Sequence, residues 1–295
     1  MAYSREQALT LHKDYQENVK NWEYYIRSYN GGYDYSIGQY LNRYNLELDN
    51  EFNQRLANTP CDNHCKNIIQ IYSSFLFRVK ASRDFGNMQD EASLESFLKD
   101  ADLEGNSFTS VVKQAQNYAS IYGHCMLILD KPSIQTNTKA EEINQEIRPY
   151  ISIVTPENIF DWNFERQPNG KYILNYLKIR EEVDKSGGSY MRLWYPDRVD
   201  TIYVEEVGTE PTLIDTATNQ IGKIPAVILY NAKSHKRGIG QSDLVDISDM
   251  QKAIYNEYSE IEQLIRLTNH PSLVKTNGVN ASAGAGAVIE MPDEM

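Results

Sequence analysis

The chain has 295 residues, enough for one large domain or two small ones with a sizeable core. Its formal net charge of −12, from 41 acidic and 29 basic residues, argues against a protein that grips nucleic acid through clustered Lys and Arg. It leaves room for one that DNA must slide past, because an acidic wall repels phosphates.

Other bulk features narrow the class further. Cys61, Cys65 and Cys125 are too few for a disulfide framework in a chain this long. No apolar run approaches the roughly 18–20 residues that cross a bilayer. The opening MAYSREQ runs into a polar helical pattern without a leader signature. The expectation is a soluble protein made in a reducing cytoplasm, with no membrane contact. The 21 Tyr against 8 Phe imply many half-buried rings whose hydroxyls reach a partner or water, as at contacts between lobes or subunits.

Ser4 and Gln7 form a capping-box pattern, and Leu9, Leu11, Tyr15, Val19, Trp22 and Ile26 recur behind it, so the chain opens on a helix that Asn30-Gly31-Gly32 stops. A tyrosine-rich connection follows, and Pro60 marks a break. From Cys61 to Val79, Ile68, Ile71, Tyr72, Phe75, Leu76 and Val79 recur at helical steps and predict a helix with an apolar face. Helices are predicted next over Ser93–Ala101 and Asn106–Tyr122, the second stopped by Gly123.

At Gly123 the pattern changes. His124–Asp130 reads as a strand, and the polar stretch Ser133–Glu146 reads as a surface loop or short exposed helix. Strand-like runs follow at Tyr150–Thr155, Tyr172–Arg180, Tyr190–Tyr195, Thr201–Val207, Thr212–Ile214 and Ile224–Tyr230, with a hairpin turn at Gly187-Gly188. Helices, then mostly antiparallel strands, then a long helix make an α+β chain, divided into a helical region (1–123), a β-rich region (124–232) and a terminal region (233–295).

The long helix starts at Ser242 or Asp243, carries Asp243, Asp246 and Asp249 at its positive end, and is stopped by Pro271. Leu244, Ile247, Met250, Ile254, Tyr258, Ile261 and Ile265 form a narrow row along it. Such a row packs either on the chain's own β region or on a neighbouring subunit. Beyond the helix, SLVKT and the run Ala287–Met291 read as strands, the second without a visible partner, separated by the small-residue run NASAGAGA.

Chemistry-bearing clusters are few. Cys61, His64 and Cys65 share a helix face with metal-ligand residue types, but no second cluster supplies a fourth ligand, so the expectation is two half-buried thiols and no metal or other cofactor. His124 and Cys125 are neighbours on a strand and point to opposite faces, which rules out a dyad between them. No phosphate-binding loop, nucleophile elbow or zinc-hydrolase pattern occurs, and no catalytic residue is assigned. Lys233, Lys236 and Arg237 form the one dense basic patch, just ahead of a helix N-terminus; it reads as a phosphate contact or as a solvated loop. Acidic residues with Trp22, Trp162 and Trp194 leave a carbohydrate-active enzyme or binding module as an alternative, on composition alone.

The ordered series TPENIFDWNF, YLKIREEV, IGKIPAVILYN, GIGQSDLVDISDMQKAIYNEYSE, HPSLVKTNG and GAGAVIEMP resembles the portal, or head-to-tail connector, proteins of tailed double-stranded DNA bacteriophages. The resemblance covers most of residues 60–292. It implies a homo-oligomeric ring of about twelve subunits at one capsid vertex, built from wing, stem, clip and crown regions. It further implies contacts with the terminase motor, the major capsid and scaffolding proteins and a tail adaptor, and passage of double-stranded DNA during packaging and ejection. The chain would then be a virion component assembled in the host cytoplasm, without catalysis of its own. The long helix would pack between subunits, and most of the remainder would belong to the wing. Family members usually run considerably longer than this chain.

Overall fold

Ser4 caps a first helix, but the helical opening is broken in two. In the computed structural model the described residues are 3–89, 91–132, 138, 141, 145, 147–185, 187–205, 208, 210–269, 273–276 and 288–291. Helix α1 (Arg5–Leu9) carries the reciprocal capping box between Ser4 and Gln7. It ends because the buried Lys178 ammonium reaches in from the sheet and donates to the carbonyls of Gln7, Ala8 and Thr10. Those are the carbonyls a helix end leaves free, and a cation suits them. Helix α2 (Lys13–Asn30) restarts behind His12 and stops at Gly31.

The tyrosine-rich stretch expected as a plain connection contains two more helices, α3 (Gly32–Ile37) and α4 (Asp49–Asn58). Tertiary contacts stabilise them: Tyr35 is enclosed by Tyr40 and Tyr255, and Arg55 is buried. Helices α5 (His64–Leu76), α6 (Ala92–Lys99) and α7 (Phe108–Tyr122) follow at the predicted places. The Ser107 hydroxyl accepts from the Ser110 N–H at the start of α7, and Gly123 ends it in left-handed geometry, at φ +94°.

The β region forms two antiparallel sheets. Strands β1 (His124–Asp130), β2 (Tyr150–Val154) and β8 (Ala226–Tyr230) pair in the order β2-β1-β8. The second sheet is a meander of β3 (Ile159–Arg166), β4 (Tyr172–Val183), β5 (Ser189–Trp194), β6 (Arg198–Val204) and β7 (Thr212–Thr218). The hairpin at Gly187-Gly188 joins β4 to β5, as predicted. Strand β3 was not marked by alternation, because Ile159, Phe160 and Trp162 are all buried beside a register shift. The Arg192 guanidinium on β5 ties the sheets together by pairing with Asp130 of β1 and Glu181 of β4. The polar stretch from 133 to 146 lies largely outside the described residues.

A two-residue ladder of β9 (Ala232–Lys233) and β10 (Gly240–Gln241) leads into α8 (Leu244–Asn269). Strand β12 (Val288–Met291), expected to lack a partner, pairs in parallel with β11 (Leu273–Thr276). The small-residue run between them lies outside the described residues. The fold is therefore α+β, with eight α-helices and antiparallel sheets among the described residues. One hydrophobic cluster holds Trp22, Tyr122, Met126, Leu177, Ile239 and Leu244, so the helical opening, the β region and the start of α8 share a core.

Candidate subunit interface

The apolar row of α8 is not the face that packs on the body. The buried positions are Leu244, Ser248, Gln251, Tyr255 and Ser259, at four- and three-residue steps: Leu244 and Tyr255 pack in hydrophobic clusters, and Ser248, Gln251 and Ser259 are tied by hydrogen bonds. The Gln251 amide accepts from the Cys65 N–H and donates to the Ser28 carbonyl, joining α8 to α5 and α2. The Tyr24 hydroxyl donates to the Ser248 carbonyl at 2.8 Å. Farther along, Arg55 of α4 donates to the Ser259 hydroxyl and holds Glu47 at 2.6 Å while lying on the Tyr44 ring.

The predicted row lies beside this seam. Leu244 alone belongs to the core, and Ile247 and Ile254 are half-buried. Met250 is 63% exposed, and Tyr258, Ile261, Leu264 and Ile265 also face outward. A hydrophobic period read as packing thus belongs mostly to an unpartnered face. Pattern fixes which residues lie together on a helix, not what covers them.

Helix α5 likewise turns much of its apolar face outward. Its buried side is Cys65, Ile69 and Ser73, whereas Ile71, Tyr72, Phe75 and Leu76 are exposed, Phe75 at 69%. Val79, just past the helix, is exposed too. The predicted apolar face of α5 therefore points mostly to solvent. Scattered apolar side chains at a surface need no explanation, but a contiguous set on neighbouring helices marks an interaction site.

The two rows meet. Tyr72 and Leu76 of α5, Gln116 and Ser120 of α7, and Asp243 and Ile247 at the start of α8 line a groove of about 480 Å³. Ser73 and Asn117 line it as well, and neither the Ser73 hydroxyl nor the Asn117 carbonyl oxygen has a hydrogen-bond partner, although both atoms are buried.

The basic loop is largely occupied within the chain. Lys236 bridges Asp14 at 2.7 Å and Glu17 at 2.5 Å on α2; the two carboxylates hold its ammonium above the usual lysine range, and the ammonium in turn holds the Glu17 carboxyl below the usual carboxylate range. The Arg237 guanidinium lies 3.4 Å from the centre of the Tyr172 ring. Lys233 is exposed, its amine 5.9 Å from the centre of the Tyr230 ring.

Burial pushes the Cys61 thiol up to about 11 and the Cys65 thiol to about 12, so both stay protonated at neutral pH. His64 points to Asp62 at 3.4 Å, and among the described residues no group of three or more His, Cys, Asp or Glu is arranged to hold a metal ion. His124 and Cys125 are both buried on β1, the thiol donating to the Ala115 carbonyl and the imidazole Nδ1 accepting from the Gly240 N–H. Trp22, Trp162 and Trp194 are all buried, which leaves none of them as a sugar-stacking platform. Among the described residues no helix is long and apolar enough to cross a membrane.

Comparison with curated proteins finds no match. The family model described as phage portal protein, SPP1 Gp6-like, matches residues 9–294 and so takes in α2 to α8, both sheets and the terminal strand pair. With nearly the whole chain matched, the protein belongs to the SPP1 Gp6-like family of phage portal proteins.

Proposed function

We propose that the chain is a non-catalytic ring subunit at one capsid vertex, where about twelve copies form a cyclic homo-oligomer. The carrying observation is the pair of adjoining apolar rows, on α5 and α8, that the chain leaves uncovered. A head-to-tail ring needs two different complementary surfaces on each copy, and extended helical rows supply them.

In this reading α8 is the element packed between neighbours, through Ile247, Met250, Ile254, Tyr258, Ile261 and Ile265, with Leu244 seating its root. Asp246, Asp249 and Glu260 lie on its solvent side, where negative charge keeps passing DNA from adhering. Lys233, exposed and without a salt bridge among the described residues, is the phosphate contact of the basic patch. The three-part division at residues 123 and 232 separates a wing-like helical region, a β-rich region and a terminal region. The packaging motor, the capsid and scaffolding proteins and a tail adaptor are the partners of the assembled ring, which forms in the host cytoplasm and passes double-stranded DNA in packaging and ejection.

Light scattering on the purified 295-residue chain tests the ring. A mass of about twelve copies is expected for cyclic closure. A chain that stays monomeric at every concentration overturns the claim that these residues close the ring themselves.

A further inference from the structure

The groove between α5, α7 and the start of α8 has a matching surface elsewhere on the same chain. Its apolar wall is Tyr72 and Leu76, continued by Phe75 and Val79 along and beyond α5. Where α5 ends, Arg78 and Lys80 are exposed, with no ion-pair partner among the described residues. Ser73 and Asn117 line it as well, with their hydroxyl and carbonyl oxygen buried and unpaired among the described residues. An elongated apolar ridge with acidic flanks therefore complements it.

The distal half of α8 fits that description. Tyr258, Ile261 and Ile265 recur at three- and four-residue steps and are exposed. At helical spacing Glu257 lies on one side of this ridge and Glu262 on the other, both exposed and without a salt bridge among the described residues. The chain's own groove cannot receive this ridge. Gln251 pins α8 between α2 and α5, and Asp243 and Ile247 already form the groove wall, so the distal half runs away from it.

We propose that the α5–α7 groove of each copy receives the distal α8 ridge, Tyr258 to Ile265, of a second copy, with Arg78 and Lys80 set against Glu257 and Glu262. The contact is heterologous, because groove and ridge are different surfaces, and repetition about an axis closes a ring. It rests on the ring reading above and specifies which surfaces meet. Charge pairs at the rim select the register of the ridge, and the apolar rows supply the buried area.

Charge reversal in the full chain tests it, read by sedimentation velocity across a concentration series. All four charged residues are exposed, so thermal unfolding of each variant serves as the control for folding. R78E/K80E and E257K/E262K are each expected to weaken association about tenfold or more, because each sets like charges together. The quadruple variant R78E/K80E/E257K/E262K restores opposite signs and is expected to return association to within about threefold of the parent. Double variants that assemble like the parent overturn the groove–ridge contact and leave the ring standing. A quadruple variant as weak as the doubles does the same. A parent chain that never associates overturns both.

Discussion

A β-carbon on Gly240 would stand 1.9 Å from the carbonyl oxygen of Gly123, and one on Gly123 would stand 2.6 Å from the carbonyl oxygen of Gly240. The turn that ends α7 and the ladder that begins α8 thus lie backbone on backbone, closer than any other residue pair would allow. Nearby, the Asn231 N–H donates to the Gly123 carbonyl and the Asp243 N–H to the Ser120 carbonyl, sealing the junction. The glycines ahead of α8 serve this approach.

Gly240→Ala is accordingly expected to cost about 3 kcal/mol, the upper range for overpacking against rigid backbone. Urea unfolding of the variant measures it. A loss below about 0.5 kcal/mol, typical of neutral surface changes, would show that the two segments separate freely.

His124 sits at the same junction between Trp22 and Tyr230, and burial pushes its imidazole down to about 4. The unfolded chain takes up that proton near pH 6.5 and the folded chain resists it, so this contribution is complete above about pH 6.5. It is lost as pH falls toward 4, by about 3 kcal/mol across the window. Glu157, whose carboxyl burial raises, titrates with the opposite sign. The informative quantity is therefore the difference in pH slope between the parent and His124→Gln. A parent no steeper than the variant between about pH 7 and pH 5 contradicts the burial argument.

Arg55 tests the attachment of α4. Its guanidinium bonds both Glu47 oxygens, the Asn42 carbonyl and the Ser259 hydroxyl, and the Glu47 side chain is itself buried. Arg55→Ala strands that carboxylate and is expected to cost about 3 kcal/mol. Arg55→Lys should recover only part of this, since an ammonium cannot make the paired contact. Hydrogen exchange across residues 42–58 should quicken in both variants, and unchanged protection would mean that α4 is held by its apolar contacts alone.

The seam and the row of α8 can be separated by mutation. Gln251→Ala removes both bonds of a fully buried amide, leaving the Cys65 N–H and Ser28 carbonyl unpaired, and is expected to cost about 2–3 kcal/mol. Ile261→Ser with Ile265→Ser changes only exposed side chains and should alter monomer stability by less than about 0.5 kcal/mol while weakening self-association. If the serine pair unfolds the monomer instead, the row packs within the chain and the interface assignment fails.

Most of the element order is legible in the sequence because its punctuation is local. Ser107 and Gly123 bound α7 through a side-chain cap and a left-handed residue, and β1 follows one residue later. Helices α3 and α4 are not legible, since their stabilising partners (Tyr255 for Tyr35, Ser259 for Arg55) lie some 200 residues away in the chain. The candidate interface is half legible. The residues of both apolar rows stand out by spacing, but their exposure does not. On α8 the body contacts run through Ser248, Gln251 and Ser259, which hydrophobic periodicity passes over. Lys236 shows the converse limit: in sequence it belongs to a basic patch, and in space Asp14 and Glu17 consume it.

The asymmetric hold on α8 has a mechanical consequence. Its 26 residues span about 39 Å, with the first half clamped by Gln251 and Tyr24 and the second braced chiefly at Ser259. The helix is a cantilever whose outermost brace is the Ser259 contact with Arg55, with the Asn256 and Gln251 amides behind it. A sideways load on the ridge from Tyr258 to Ile265 meets that brace first and reaches Ser28 and Cys65 as torque, and the Gly123–Gly240 contact stops the root from swinging back. Displacement of the distal half of α8 is thereby delivered to the helical layer as a tilt, and a closed circle of such levers would share that tilt around its circumference.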